Sequence, residues 1–337
     1  MNFTPIPSGK SVPSVPSGDS ACVPPRKICD SLISAPQRIF VYYSRNGFSM
    51  PELPEVETIV RSLRPFILGR QITGVAFGAL PSDEARRPVG PRVLSGAPQE
   101  FVGSVCGSRI EQIRRYGKNI VLQLRPAGTN QPCSLIVHLG MTGRLTCEST
   151  PEFQSRHTHL VFSLNSGNDA PPTWLHYTDI RQFGRLSLTF DPSRILAALG
   201  PDPLKISFED FFERLHSRRV MAKTLLLNQR FLRGLGNIYA DESLYRAGIH
   251  PAARSSRLSR RRALRLFQAI RATLRLAIAR GGSSVSNYVD GRGRRGSFQD
   301  LHQVYRRTGQ PCCRCGASIR RILIASRSSH YCPRCQR

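Results

Sequence analysis

Four cysteines near the C terminus constrain this chain more than any other feature. Cys312 and Cys315 are two residues apart, sixteen residues follow, and Cys332 and Cys335 repeat the spacing. Two such pairs supply four thiolates for one closed tetrahedral site, which suits a zinc ion. An iron–sulfur cluster uses the same ligands, but the basic and aromatic, hairpin-like context of the second pair favours zinc. A closed site leaves no coordination position open, so the ion is structural, and its expected purpose is to hold Arg320, Arg321 and Arg327 against a polyanion. Cys313 adjoins a ligand and is a poor second one, so it reads as a bystander. Cys22, Cys29, Cys106, Cys133 and Cys147 show no pairing logic. The cysteine usage therefore points to a metal site in a reducing compartment rather than to a disulfide framework.

The formal charge is +27 over 337 residues. Such an imbalance points to a polyanionic partner, most simply nucleic acid. Of 49 basic residues only Lys10, Lys27, Lys118, Lys205 and Lys223 are lysines. Arginine suits bidentate phosphate contacts, and a lysine kept against that bias is a candidate for a specific task. No apolar run is long enough for a spanning helix, so no membrane role is expected.

The length allows two or three domains. Residues 1–49 are rich in Pro and Ser and read as disordered, apart from a strand-like run at Ile39-Phe40-Val41-Tyr42-Tyr43. Three explanations stand for this stretch: a start codon chosen upstream of Met50, a genuine extension that is cleaved, or a targeting segment. From Gln71 to Phe190 the texture is β. Ile120–Leu124, Leu135–Leu139, Leu160–Leu164, Trp174–Tyr177 and Leu186–Phe190 are short runs separated by turn residues, which suggests a β-sandwich. Leu199-Gly200-Pro201-Asp202-Pro203-Leu204 is a natural boundary. Beyond it, Ser207 can cap a helix with Phe208, Phe211, Phe212 and Leu215 on one face. Further helices are expected near Val220, from Ile238 to Arg246, and from Ser259 to Arg280. Gly281 to Ser297 reads as a mobile loop.

Two stretches carry chemistry. Met50-Pro51-Glu52-Leu53-Pro54-Glu55-Val56-Glu57-Thr58 reads like a beginning although it lies well inside the chain. Pro54 suits a first helical turn, the acids favour the positive end of the helix dipole, and Val56, Ile59, Val60, Leu63 and Ile67 follow at helical spacing. Gly234-Leu235-Gly236-Asn237-Ile238-Tyr239-Ala240-Asp241-Glu242 is a glycine turn opening a helix. Its glycines permit a close backbone approach, and the free N–H groups of the helix start offer a phosphate cradle. Asn237 can cap that helix or give its amide to a phosphate.

Together these stretches resemble the formamidopyrimidine-DNA glycosylase (Fpg, MutM) family. The Met50–Thr58 string is similar to the family's amino terminus, Gly234–Glu242 and Ala247-Gly248-Ile249-His250-Pro251 to its helix–two-turns–helix, and Gln310-Pro311-Cys312 with Tyr331-Cys332-Pro333-Arg334-Cys335-Gln336 to its zinc finger. The resemblance runs from Met50 to Arg337. It implies an α+β multidomain fold: an N-terminal β-sandwich with a catalytic N-terminal helix over 50–199, a helical domain over 200–300, and the zinc finger over 303–337.

The resemblance also implies a function and its residues. The expected enzyme is a bifunctional glycosylase and abasic-site lyase of base excision repair. It acts as a monomer on double-stranded DNA with oxidised purines or abasic sites, in the bacterial cytoplasm at the nucleoid. Pro51 would be the nucleophile, its amine having an α-amino pKa of about 7.7–8. Glu52 would be the general acid, although alone it reads as a solvated carboxylate. Lys118 would clamp phosphates and assist β-elimination. Arg327 would bind phosphate and serve δ-elimination. Met141, Arg181 and Phe183 would fill the gap left by the flipped nucleotide. Alone, Met141 and Phe183 read as core residues, but the flanking glycines and the nearby arginine suit exposed loop tips better. Gln182 departs from the arginine that family members often carry there. His157, Arg218, Arg219, Lys223 and Asn237 fall on DNA-contacting positions.

Two rivals remain. Leu53 after Glu52 and the long Gly281–Ser297 loop favour the purine branch over an endonuclease VIII-like activity on oxidised pyrimidines. A catalytically inactive DNA-binding relative is the second rival, because an acylated Pro51 nitrogen has no lone pair to offer.

Overall fold

The helix that opens the described structure sits in two hydrophobic cores at once. Helix α1 (Leu53–Ile67) buries Val56, Ile59, Val60, Leu63 and Ile67 against a β domain, while Leu53 at its first turn enters the core of a helical domain. Each such side chain contributes about 1.5–3 kcal/mol on burial, and a capping box between Glu52 and Glu55 secures the helix start. The structure, a computed structural model, describes residues 50–78, 93–128, 131–165 and 171–337. Residues 1–49, with the Ile39–Tyr43 run, Cys22 and Cys29, lie outside the described residues.

The β domain is built from β1 (Gln71–Phe77), β2 (Leu94–Ser95), β3 (Arg109–Tyr116), β4 (Asn119–Arg125), β5 (Cys133–His138), β6 (Gly143–Glu148), β7 (Thr158–Asn165), β8 (Thr173–Asp179) and β9 (Arg185–Thr189). They run in the order β2-β9-β5-β4-β3-β1-β7-β8-β6. Only the Gln71↔Arg109 pair links β1 to β3. The sheet therefore folds over at that corner, and its halves share one core. Ile110, Ile120, Leu122 and Leu124 from one half cluster with Leu160, Phe162, Leu175 and Tyr177 from the other. This is the expected sandwich, with the ends of β4, β5, β7, β8 and β9 within two residues of the runs read from sequence. Helix α2 (Pro98–Val105) interrupts the β texture. It buries only Phe101 and Val105, too few positions for a helical period to stand out.

After α3 (Ser193–Leu196), the helical domain comprises α4 (Phe208–His216), α5 (Ala222–Leu227), α6 (Asn237–Ala247) and α7 (Arg260–Ala279). Ser207 and Ser259 cap α4 and α7 by accepting from Asp210 N and Arg262 N, as side-chain oxygens do at helix starts. The last module is a hairpin of β10 (Arg320–Ile324) and β11 (Arg327–Tyr331). No described helix is long and apolar enough to cross a membrane.

One ion cluster ties the sandwich to the boundary segment. Arg115 on β3 donates from Nε to Glu57 (2.9 Å) and from Nη2 to Asp202 (2.7 Å), and both Arg115 and Asp202 are buried. Removing the cation leaves a buried carboxylate without compensation. Arg115→Met is therefore expected to lower the unfolding free energy by about 3 kcal/mol, with Asp202→Asn restoring part of it. Denaturant titration of the single and double variants measures this. A loss below about 1 kcal/mol, the range of surface pairs, would show that the cluster does not hold the junction.

Candidate active site

The candidate site forms where the N-terminal segment meets the start of α6. Pro51 and Glu52 are buried. The Glu52 carboxylate accepts from Ile238 N at 3.0 Å and from Tyr239 N at 3.5 Å. A helix leaves its first N–H groups unpartnered, and its dipole favours an anion there. The cradle expected to hold a phosphate is thus filled by the protein's own carboxylate, which corrects the sequence reading. The glycines serve the same approach. The carbonyl of Gly234, at φ +95°, accepts from Leu53 N at 3.0 Å. A Cβ on Gly236 would lie 2.4 Å from Glu52 Cδ.

Burial pushes the Glu52 carboxyl up to about 7, against the opposing pull of Lys118 and the α6 amides. A carboxyl in that range can both give and take a proton at neutral pH. Buried Glu55 stands behind it, accepting from Glu52 N (2.9 Å), Tyr239 Oη (2.5 Å) and Ser283 N (2.7 Å). These bonds join α1, α6 and the root of the Gly281–Ser297 segment. The sequence reading gave Glu55 only a place at the positive end of the helix dipole and gave Tyr239 no role. Capping-box spacing from residue 52 to residue 55 was the available signal for Glu55; Tyr239 offered none.

Lys118 occupies the β3–β4 turn, half-buried. Desolvation lowers its ammonium pKa, the Glu52 charge raises it, and Arg327 lowers it further. Glu52, Lys118 and Arg327 therefore converge from the N terminus, the sandwich and the zinc-finger hairpin. Lys223 does not join them as a DNA contact, contrary to the sequence reading. It is 0% exposed, ion-paired to Asp241 at 2.7 Å, and donates to Ser328 O at 2.6 Å. A lysine so enclosed cannot reach a phosphate in this conformation. Asp241 also accepts from His330 N at 2.9 Å, so Lys223 and Asp241 lock the hairpin carrying Arg327 onto α6. Glu242 does the same for the approach to that module, accepting from Gln303 N, Val304 N and Tyr305 N.

Met141, Arg181 and Phe183 come together on adjoining loops. Arg181 Nη1 lies 3.4 Å from Met141 Sδ, and its guanidinium stacks 4.7 Å from the Phe183 ring centre. Asp179 organises both loops, accepting from Thr142 Oγ1 (2.5 Å), Arg181 N (3.3 Å) and Gly184 N (2.8 Å). Phe183 is 38% exposed, but Met141 is only 6% exposed, packed inward rather than standing on a loop tip. Pro51, Met141, Thr142, Ser286, Asn287 and Tyr288 line one crevice. The Gly281–Ser297 segment thus lies beside Pro51, held there by Gly291 N to Ser62 Oγ (2.8 Å) and Cys147 N to Gly291 O (2.8 Å).

His157 sits at the same end, where its carbonyl accepts from Asp179 N at 2.9 Å. Its neighbour His159 is the structural histidine, buried and bonded to Asp179 O at 2.8 Å. Arg218 and Arg219 are exposed between α4 and α5. Asn237 is the first residue of α6, behind an N-cap at Gly236, and its buried Oδ1 has no hydrogen-bond partner among the described residues.

The sulfurs of Cys312, Cys315, Cys332 and Cys335 all lie within 4.8 Å of one another. Tetrahedral Zn–S bonds of about 2.3 Å require sulfurs about 3.8 Å apart. The Cys312–Cys335 separation is 3.8 Å and the Cys315–Cys332 separation 3.4 Å. The four thiolates fit one structural zinc ion. Cys313 is exposed outside this set, 2.8 Å from Arg307 Nη1.

The Gly236 contact yields a direct prediction. Its φ of −140° suits any residue, so Gly236→Ala acts through sterics alone. It is expected to cost about 1–3 kcal/mol as overpacking and to move the amide resonances of Ile238 and Tyr239 as Glu52 is displaced. Unmoved resonances would contradict the contact.

Comparison with known proteins adds to this geometry. The family model described as the formamidopyrimidine-DNA glycosylase N-terminal domain matches residues 50–186, the H2TH domain model of the same family matches 199–289, and a zinc finger found in FPG and IleRS matches 309–337. A formamidopyrimidine-DNA glycosylase of Solibacter usitatus is 45% identical over 289 residues, covering 86% of this chain and 100% of the relative. One from Heliobacterium modesticaldum is 43% identical, with coverage of 86% and 100%. Among solved structures, Lactococcus lactis Fpg with DNA containing an abasic site matches at TM-score 0.72 and 31% identity, covering 85% of this chain and 99% of that one. The MutM (Fpg) protein of Thermus thermophilus matches at TM-score 0.68 and 37% identity, covering 85% and 98%.

Proposed function

Because the chain belongs to the formamidopyrimidine-DNA glycosylase family of DNA-repair enzymes, we propose that it excises oxidised purines from duplex DNA and then cleaves the abasic strand by β,δ-elimination. The observation that carries this reading is Glu52: a buried carboxyl poised near pH 7 beside Pro51.

The chemistry follows from the groups present. A base inside a duplex is out of reach, so the nucleotide must be flipped out. Met141, Arg181 and Phe183 occupy the vacated space, with Met141 swinging out from its packed position. The Pro51 nitrogen attacks C1′ of the deoxyribose while Glu52 gives its proton to the sugar or the leaving group. The bond from C1′ to the base breaks and the Pro51 N–H proton is lost. Cleavage of the C1′–O4′ bond, with O4′ taking a proton, then opens the sugar and leaves an iminium between C1′ and Pro51. That cation acidifies the C2′ proton, whose removal expels the 3′ oxygen, and a second elimination releases the 5′ phosphate. Lys118 and Arg327 hold the flanking phosphates and stabilise the charge that develops. Arg218, Arg219, His157 and Asn237 contact the backbone, while Lys223 positions the Arg327 hairpin.

Attack requires a free amine at Pro51, because a tertiary amide nitrogen is not nucleophilic. Residues preceding Pro51 must therefore be absent from the active form. In support, the N-terminal family match begins at residue 50, and full-length relatives align with only 85–86% of this chain. We place the working boundaries at 50–199, 200–300 and 303–337. The enzyme acts as a monomer on damaged or abasic duplex DNA in the bacterial cytoplasm. Oxidised pyrimidines belong in the substrate panel, because a Lactococcus lactis Fpg matching at 33% identity was solved with DNA containing one.

Borohydride reduction traps an iminium as a stable crosslink. Protein beginning at Pro51 is expected to crosslink to 8-oxoguanine and abasic duplexes, and protein retaining Met50 is not. Failure of the Pro51 form to crosslink would overturn the Schiff-base mechanism.

A further inference from the structure

The far end of the β3–β4 hairpin carries a charge arrangement that the lesion chemistry does not use. Arg109 opens β3 and Arg125 closes β4, and the two face each other directly in the ladder. Like charges directly opposite one another destabilise an antiparallel pair. Arg125 is paired with Glu111, while exposed Arg109 has no acidic partner among the described residues. Arg70 belongs to the same corner, its carbonyl accepting from Ile110 N at 2.9 Å. Beside these residues lies an open groove of about 470 Å³, lined by Gln71, Gly107, Arg109, Arg125, Pro126 and Gly128.

This groove is remote from the candidate active site. Tyr116↔Asn119 closes the hairpin at the Lys118 turn, and Arg109↔Arg125 lies at its other end. Seven residue steps at about 3.4 Å each separate the two ends by about 24 Å.

We propose that this groove is a secondary phosphate-binding site, which takes the backbone of a second DNA segment while the first occupies the active site. Two guanidinium groups on adjacent strands offer fork-shaped donors to phosphate oxygens. A bound phosphate also neutralises the opposed arginines, so the ladder gains stability when the site is filled. DNA is the polyanion this enzyme family works on, which makes its backbone the phosphate source of choice.

The test uses full-length, zinc-loaded protein saturated with a short unlabelled abasic-analogue duplex. A labelled undamaged duplex is then added, and its fluorescence anisotropy is followed as salt is raised. The wild type is expected to bind this second duplex at low salt. Arg109→Gln with Arg125→Gln should weaken that binding at least tenfold and flatten the log–log salt slope by about 2, the loss of two phosphate contacts. Affinity for the first duplex should stay within twofold, and the DNA-free Arg109→Gln single variant, which keeps the Arg125–Glu111 pair, should melt no lower than wild type, since one of two opposed like charges has been removed. Equal second-duplex binding by both proteins, or none by the wild type, overturns the proposal. So does a site that inorganic pyrophosphate stabilises against melting but no duplex occupies. Should the double variant fail to fold, Arg109→Gln alone leaves the Arg125–Glu111 pair intact and should weaken second-duplex binding with a slope change of about 1, the loss of one phosphate contact.

Discussion

The carboxylate of Glu52 is a residue of α1's N terminus and the anion at α6's N terminus at once. Two N–H groups of α6 point at it, Lys118 supplies a neighbouring positive charge, and the surrounding protein removes water. A buried carboxylate is costly unless its lone pairs are satisfied, and α6 satisfies them with amides a helix leaves free. The domain junction and the candidate catalytic acid are thus one interaction. Neither domain can present this group without the other, because Pro51 and Glu52 belong to the chain of one and the capping amides to the other.

Helix α6 extends the same principle along its length. Tyr239 binds Glu55 behind the active-site segment, Asp241 binds Lys223 and His330, and Glu242 gathers three backbone N–H groups before the zinc finger. Buried charges in this helix are paired or fully hydrogen-bonded, which makes their removal expensive and their geometry specific. The four thiolates then fix the far side of the hairpin, so that Arg327 is held from both ends. Rigid supports of this kind suit the proposed chemistry, in which several groups act in sequence on one sugar.

Much of this was legible in the sequence, for identifiable reasons. The amphipathic stripe of α1, the cap at Ser207, the helix start near Ser259 and the paired cysteines are local patterns, and each reappears in the fold. What escaped was set by tertiary contact. The Gly234–Asn237 turn has the composition of a phosphate cradle, and no local signal says that Glu52, far away in sequence, occupies it. Lys223 stood out as a rare lysine and suggested a nucleic-acid contact. Its pairing with Asp241 depends on how α5 packs on α6. Met141 lies between glycines like an exposed loop residue, yet Arg181 and the neighbouring loop cover it. Helix α2 was too short for its period to emerge from a β-rich region.

The central claim is that Glu52 is a neutral-range acid made so by burial at the start of α6. Carbon NMR of labelled glutamate in the full-length chain, with the Ile238 and Tyr239 amides followed in the same titration, tests it most directly. The account predicts a carboxyl titrating near pH 7, with both amides moving in step. The native group then holds a proton that the unfolded chain releases near 4.5. Its contribution to stability, at most about 3 kcal/mol, is full below pH 4.5 and lost as pH rises through 7. An ordinary titration near 4.5, with amides that do not respond, would contradict both the burial and the helix contact on which the site is built.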